Sequence, residues 1–213
     1  MEASWRQARD LPRRGAGAAR RPRRLCRHLT LEGFGDLALA DGAGEKGGLV
    51  LPILPFGSWP LALALVGLYR GGVTIAGEPP RWRGAQRALA ELPAEVRPGD
   101  GSNGGERRWA ISGWPTDGRA GADDPDSVDV PFLATRLRVS TAPARFALDR
   151  SADLCPVGAL AEDGGGWTFW AAQADPSPDV TALSRAWVEP YAGAVRRRPD
   201  LWPWFLPQAD LAG

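Results

Sequence analysis

Few residues in this 213-residue chain have the chemistry of a catalyst. His28 is the sole histidine. One imidazole excludes multi-histidine metal centres and leaves any histidine-based proton transfer a single candidate. The two cysteines, Cys26 and Cys155, fit no zinc spacing and read as ordinary thiols, with one bridge between them as the alternative. Asp117, Asp123, Asp124, Asp126 and Asp129 lie in an acidic, Gly-rich run over 116–129. It lacks the spacing and closing glutamate of a calcium loop and reads as a solvated loop. Neither G-x-x-x-x-G-K-[ST] nor G-x-G-x-x-G occurs, so no phosphate loop, cofactor or metal is expected.

The stretch that would have to position any chemistry runs from Lys46 to Glu78. An apolar segment, Leu49 to Leu54, meets the turn Pro55-Phe56-Gly57-Ser58-Trp59-Pro60. A second apolar run, Leu61 to Tyr69, stops at Gly71-Gly72 before the β-branched Val73-Thr74-Ile75. Strand, turn, helix, strand is the βαβ unit of a parallel sheet, and continuous apolar strands suit a sheet covered on both faces. The uncharged span Leu49 to Tyr69 is also long enough for a membrane helix. Pro52, Pro55, Gly57 and Pro60 would break such a helix repeatedly. In βαβ units the turn after the first strand faces the ligand crevice. Here that turn offers one hydroxyl, Ser58, and no titrating group.

Net charge of +1 gives no bias toward nucleic acid, and none is expected as a partner. Residues 1–27 hold Arg13, Arg14, Arg20, Arg21, Arg23, Arg24 and Arg27 against Glu2 and Asp10. No apolar core follows these charges, so this is not a secretory signal. The segment reads as a basic, disordered tail, with a transit peptide or a polybasic patch for anionic lipid as alternatives. Residues 28–206 form one α/β domain and 207–213 a short tail. Further along, 81–92 reads as a helix carrying Arg81, Arg83 and Arg87, and 108–112 as a strand. Val128–Phe132 leads into a helix over 141–148, followed by a buried strand over 154–160. A Gly164–Gly166 hairpin turn precedes a strand at 167–170, and a helix spans 180–197 before Pro199. The ten tryptophans suit core filling or wet interfaces. Those near the C-terminus, with the basic tail, are expected to dock a membrane surface.

Four segments in this order resemble the lipid A lauroyl/myristoyl acyltransferases and the wider lysophospholipid acyltransferase group. They are Glu32–Leu37 with Lys46–Leu51, then Phe56-Gly57-Ser58-Trp59, then Val128–Leu133 with Leu154–Val157, and finally Glu189, Arg196, Arg197, Pro199, Asp200, Trp202 and Trp204. The resemblance covers about residues 26–205. It implies a three-layer α/β/α sandwich with a mostly parallel central sheet. It also implies transfer of an acyl chain from acyl carrier protein or acyl-CoA to a hydroxyl of a lipid or glycolipid. In that family a His-x-x-x-x-Glu/Asp pair activates the acceptor hydroxyl, the histidine as base and the carboxylate orienting it. Here Pro55 stands at the histidine position and Pro60 at the acid position. The likeness further implies substrate binding by Phe56, Gly57, Ser58, Trp59, Arg81 and Arg87.

The expected function is therefore an acyltransferase-like protein with a dismantled site, retained for binding an acyl chain, acyl carrier protein or lipid. Its expected place is the cytoplasm, peripheral at the inner face of a bacterial plasma membrane. Two alternatives stand beside it. An active O-acyltransferase would need a relocated base, His28 as the sole imidazole or Asp36, Asp41 or Glu45 from the preceding loop, or would use Ser58 as a nucleophile. A non-catalytic interaction module would have a closed crevice.

Overall fold

The structure, a computed structural model, describes residues 28–35, 37, 48–76, 92, 95–99, 107–113 and 126–202. Its centre is a five-stranded sheet of β2 (Leu49–Ile53), β3 (Val73–Ala76), β4 (Val96–Pro98), β5 (Arg108–Ser112) and β8 (Asp153–Leu154). The spatial order is β4-β3-β5-β2-β8, and every pairing is parallel. A three-stranded sheet carries β1 (Leu29–Glu32) parallel to β10 (Trp167–Ala171), which is antiparallel to β9 (Val157–Ala161). β6 (Ser127–Phe132) and β7 (Thr135–Ser140) form a separate hairpin. Three helices complete the described chain: α1 (Trp59–Arg70), α2 (Ala142–Arg150) and α3 (Val180–Arg197).

Alternation along β2 divides the interior in two. Leu49, Leu51 and Ile53 join α1, Val73, Ile75 and Ala110 in one core. Val50 and Leu54 join Trp109, Ile111, Leu154 and the buried faces of α2 and α3 in the other. Helices thus cover both faces of the parallel sheet, which is why its strands are apolar on both sides. The inner face of the smaller sheet, with Val157, Ala159 and Phe169, closes over α1 from the far side. α1 is consequently buried from Trp59 through Gly67. A helix that is apolar all round needs such enclosure, and here two sheets supply it. Among the described residues no helix is long and apolar enough to cross a membrane.

Pro52 sits inside β2, between two neighbours, where a proline would ordinarily cost a ladder bond. Parity resolves this. On the β8 side the Asp153 N–H donates to Gly48 O at 3.0 Å and the Cys155 N–H to Val50 O at 2.9 Å. The next group on that side is Pro52, and β8 has already ended. Its missing N–H therefore faces no strand, and the Tyr191 hydroxyl from α3 donates to its carbonyl at 2.8 Å. The Leu54 N–H, one step further along, donates to the same phenol oxygen at 3.4 Å, and Val157 O lies within 3.0 Å. One phenol thus extends the ladder beyond the last strand and ties it to the start of β9.

Several sequence expectations meet corrections here. The buried strand expected over 154–160 is two strands in two different sheets, because the chain turns at Cys155-Pro156 after pairing with β2. The segment after Phe132 returns as β7 before the helix begins, with Leu137 and Val139 buried. Its two-residue turn, Leu133-Ala134, places Leu133 at φ 55 without the Asn-Gly or Asp-Gly that usually announces such a hairpin. Trp187 and Trp202, which suited either the core or a wet interface, are buried in the core, so Trp202 is not one of the exposed C-terminal tryptophans expected at a membrane. Trp59, Trp109 and Trp170 are buried as well. Cys155 is fully buried. Residues 1–27, the 81–92 helix apart from Leu92, Trp204 and 207–213 lie outside the described residues.

Burial holds the Tyr191 hydroxyl well above its ordinary pKa of 10.0, opposed by the Leu54 N–H that would favour the anion. The folded state therefore prefers the neutral phenol. That preference is intact below pH 10.0 and is lost as pH rises above it. Tyr191→Phe should destabilise the fold by about 1–3 kcal/mol, since buried backbone groups lose their partner. It should also flatten the alkaline fall in stability. Urea unfolding of both proteins at neutral and alkaline pH measures both effects, and equal curves would contradict the assigned rung.

Candidate functional site

In open α/β sheets the ligand crevice lies at the carboxyl ends of strands whose connections leave for opposite faces. β2 and β5 are such neighbours. β2 runs into α1 on one face, while the chain after β5 reaches α2 on the other. The expected turn, Pro55 to Pro60, lies at this point, immediately after β2.

The turn is built by glycine and capped by backbone. The Phe56 N–H donates to Leu54 O at 2.8 Å, and Gly57 then takes φ 58. A Cβ at Gly57 would sit 2.5 Å from Ala159 O, so the turn requires glycine for both its backbone and its space. The Ser58 N–H donates to that same Ala159 carbonyl at 2.7 Å, pinning the turn against β9. Ser58 is the N-cap residue of α1, yet its side chain makes no capping bond. Its Oγ is fully buried and has no hydrogen-bond partner among the described residues. Pro60 falls in the first helical turn, where a missing N–H costs little.

All six residues of the turn are buried. α3 and its neighbours supply much of the cover. Trp187 lies over Gly113, the residue following β5, so closely that a Cβ there would be 2.3 Å from its indole ring. The Gly113 N–H donates to Ile53 O at 2.8 Å, joining the ends of the two strands. Trp170 and Trp187 meet Tyr191 edge to face at 4.9 and 6.2 Å between ring centroids. Trp202 stacks on Phe132 at 5.0 Å and leans on Phe56 at 6.0 Å. Phe56 and Trp59 are thus side chains of the interior.

Neither His28 as a base nor Ser58 as a nucleophile sits in a working geometry, and Asp36, Asp41 and Glu45 lie outside the described residues. His28 is exposed at the start of β1. The turn abuts Ala159, which pairs with Phe169 and, through it, with Leu31. His28 is three residues back along β1 from that point. Strand geometry separates it from the turn by roughly 10 Å along the strands and roughly 10 Å across them, far beyond a hydrogen bond. Ser58 Oγ has no hydrogen-bonded base among the described residues, which leaves a serine hydroxyl a weak nucleophile. A titratable side chain that does reach this corner is Tyr191, which no sequence motif marks. Its hydroxyl is committed to backbone groups, and its raised pKa makes it no base near neutrality. Its signal was the buried α3 face of Leu183, Trp187, Tyr191 and Val195, which spells packing rather than chemistry.

The closing segment behaves as a clasp. Arg198, between the expected Arg197 and Pro199, donates from Nε and Nη2 to the two carboxylate oxygens of Asp200 at 3.0 and 2.8 Å, and from Nη1 to Ala161 O. That contact holds the Asp200 carboxyl below its usual range. Arg197 pairs with Glu32 at 2.6 Å, while Arg196 and Glu189 are exposed. Within the acidic run, Asp126 pairs with Arg145 at 2.6 Å and Asp129 with Arg138 at 3.7 Å. Among the described residues no group of His, Cys, Asp or Glu could hold a metal ion. Arg81 and Arg87 lie outside the described residues.

Two substitutions separate packing from chemistry at the turn. Gly57→Ala should cost about 2 kcal/mol or more in chemical unfolding, from positive φ and the clash with Ala159. Ser58→Ala should leave stability within about 0.5 kcal/mol or raise it, because it removes a buried hydroxyl without a partner. A Ser58→Ala loss of the size seen for a true N-cap would contradict this geometry. Compared with protein-family models and with curated proteins, the chain matches none.

Proposed function

We propose that this protein is a non-catalytic relative of the lipid and lysophospholipid acyltransferases that works by binding rather than by acyl transfer. The finer likeness, an acyltransferase-type sandwich, rests on the four ordered sequence segments. The mixed α/β architecture with a parallel sheet is compatible with it. The observation that carries the proposal is the turn after β2. Two prolines occupy the positions where the family keeps its base and acid, and the whole turn is buried. Proline has neither a titrating group nor an N–H, so no pKa shift can recover proton transfer there. Loss of a general base alone removes about 10²–10⁴ of rate, and losing its orienting carboxylate compounds this.

Burial of Phe56 against Trp202, and of Trp59 in the core, favours a filled crevice over an open acyl tunnel. Binding of lipid, an acyl chain or acyl carrier protein then falls to the outer surface. On this reading the protein acts beside the cytoplasmic face of a membrane.

Purified protein should give no acyl transfer above background from acyl-CoA or acyl carrier protein to a lipid or sugar hydroxyl. Pro55→His combined with Pro60→Glu should remain silent, since both new side chains would enter a filled interior. Turnover by the unmodified protein, abolished by His28→Ala or Ser58→Ala, would overturn the proposal. Transfer gained only in the double variant would instead point to a disabled enzyme with its acyl site intact.

A further inference from the structure

Three aromatic side chains meet over the turn after β2, and they are not equally deep. Phe56 and Phe132 are 1% exposed, while Trp202 is 8% exposed and forms the outer layer. Its indole stacks on Phe132 with 29° between the ring planes and leans on Phe56 at 44°. Trp202 thus stands at the carboxyl end of β2, where this architecture usually holds a ligand.

The segment that carries Trp202 is tied down differently from the rest of the core. Trp187 and Tyr191 sit inside α3 and cannot leave without unwinding it. After α3 the chain makes one 3-10 turn, Pro199–Leu201. The Leu201 N–H donates to Arg198 O at 3.1 Å and the Trp202 N–H to Pro199 O at 3.2 Å. Among the described residues the main chain of 199–202 makes no hydrogen bond to a strand. One side chain supplies the polar anchor. Arg198 donates to Ala161 O at the end of β9 and faces the exposed Asp163 at 3.5 Å, while holding Asp200 within the segment. Swinging 199–202 away from the domain breaks that anchor and uncovers Leu201 and Trp202, but costs no sheet or helix bond. Segments of this kind open locally while the remainder of a domain stays folded.

We propose that residues 198–202 are a strap over this corner, with Trp202 as a built-in plug that an apolar ligand of indole width displaces. With the strap closed the corner is filled, as in the function proposed above; the inference rests on that filled corner and not on the family likeness. With the strap open, Phe56 and Phe132 become the floor of an apolar site. A ligand that binds only the open form draws the population toward it. Arg198 is the latch that sets the balance between the two.

Amide hydrogen exchange of the full chain, with and without 1-anilinonaphthalene-8-sulfonate as the apolar probe, tests the strap. In the unmodified protein the Leu201 and Trp202 amides should exchange well before those of β2 and β5. Saturating probe should speed exchange at these two amides, because it competes with Trp202. Arg198→Gln should speed it about tenfold, the loss expected for a charged hydrogen bond, with β2 and β5 still protected. The same variant should tighten probe binding by about the same factor, since apparent affinity follows the open fraction. Asp200→Asn should move both readings the same way by less, and it decides the matter if Arg198→Gln does not fold. Exchange of Leu201 and Trp202 in step with β2 and β5 in every variant would overturn the proposal. So would probe binding that leaves those two amides unchanged. A strap that never opens leaves the non-catalytic reading standing, and acyl transfer by the unmodified protein sinks that reading without touching the exchange result.

Discussion

The Tyr191 hydroxyl is the contact on which this fold depends. A parallel sheet needs each central strand to find partners on both edges, yet β8 stops after two residues and leaves the second half of β2 open on that side. A side chain finishes what a strand would otherwise do. The phenol takes up Pro52 O and Leu54 N and lies within reach of Val157 O, so one oxygen joins the parallel sheet, the smaller sheet and α3. Being fully buried, it leaves those backbone groups no water to fall back on. The arrangement also explains why a proline is tolerated within β2. Its absent N–H faces the side where no strand continues.

A second constraint follows from the same corner. Placing α3 so that Tyr191 reaches β2 brings Trp187 over the end of β5. Trp202, a few residues beyond α3, comes to rest against Phe56 and Phe132. The carboxyl ends of β2 and β5, where this architecture usually holds a ligand, become part of the core. Glycine makes the close approach feasible at Gly113 and Gly57 alike. The absence of titrating side chains at Pro55 and Pro60 and the filling of this corner are therefore mutually consistent. Aromatic bulk occupies the space, as the preference of interiors for dense packing over voids favours.

Enclosure of α1 has an outward consequence. Its first nine residues, Trp59 to Gly67, are buried between two sheets, and its last turn emerges as Leu68 and Tyr69. An apolar sequence that runs past the edge of its own enclosure leaves a wettable seam. Arg70 at the helix end and Arg108 at the start of β5 lie beside it.

The sequence by itself determined the local elements that depend on short-range rules. Apolar runs broken by Gly-Gly and proline marked β2, α1 and β3, and a Gly-rich turn between aromatic and aliphatic runs marked β9 and β10. The amphipathic period marked α3 over 180–197, and the absence of any base at the turn after β2 was equally plain. What sequence could not supply were decisions taken between distant segments. Leu133-Ala134 turns a hairpin with none of the usual turn residues, because the pairing of β6 with β7 overrides a poor local preference. The split of 154–160 between two sheets depends on which neighbour each half meets, not on its composition. Tyr191 reads as one more apolar position on a helix face. Only tertiary structure sets its oxygen opposite Pro52, 139 residues away along the chain, and gives it a structural task. Likewise, whether an aromatic residue lines a crevice or fills it is a matter of what stands opposite. For Phe56 and Trp202 the fold put them opposite each other.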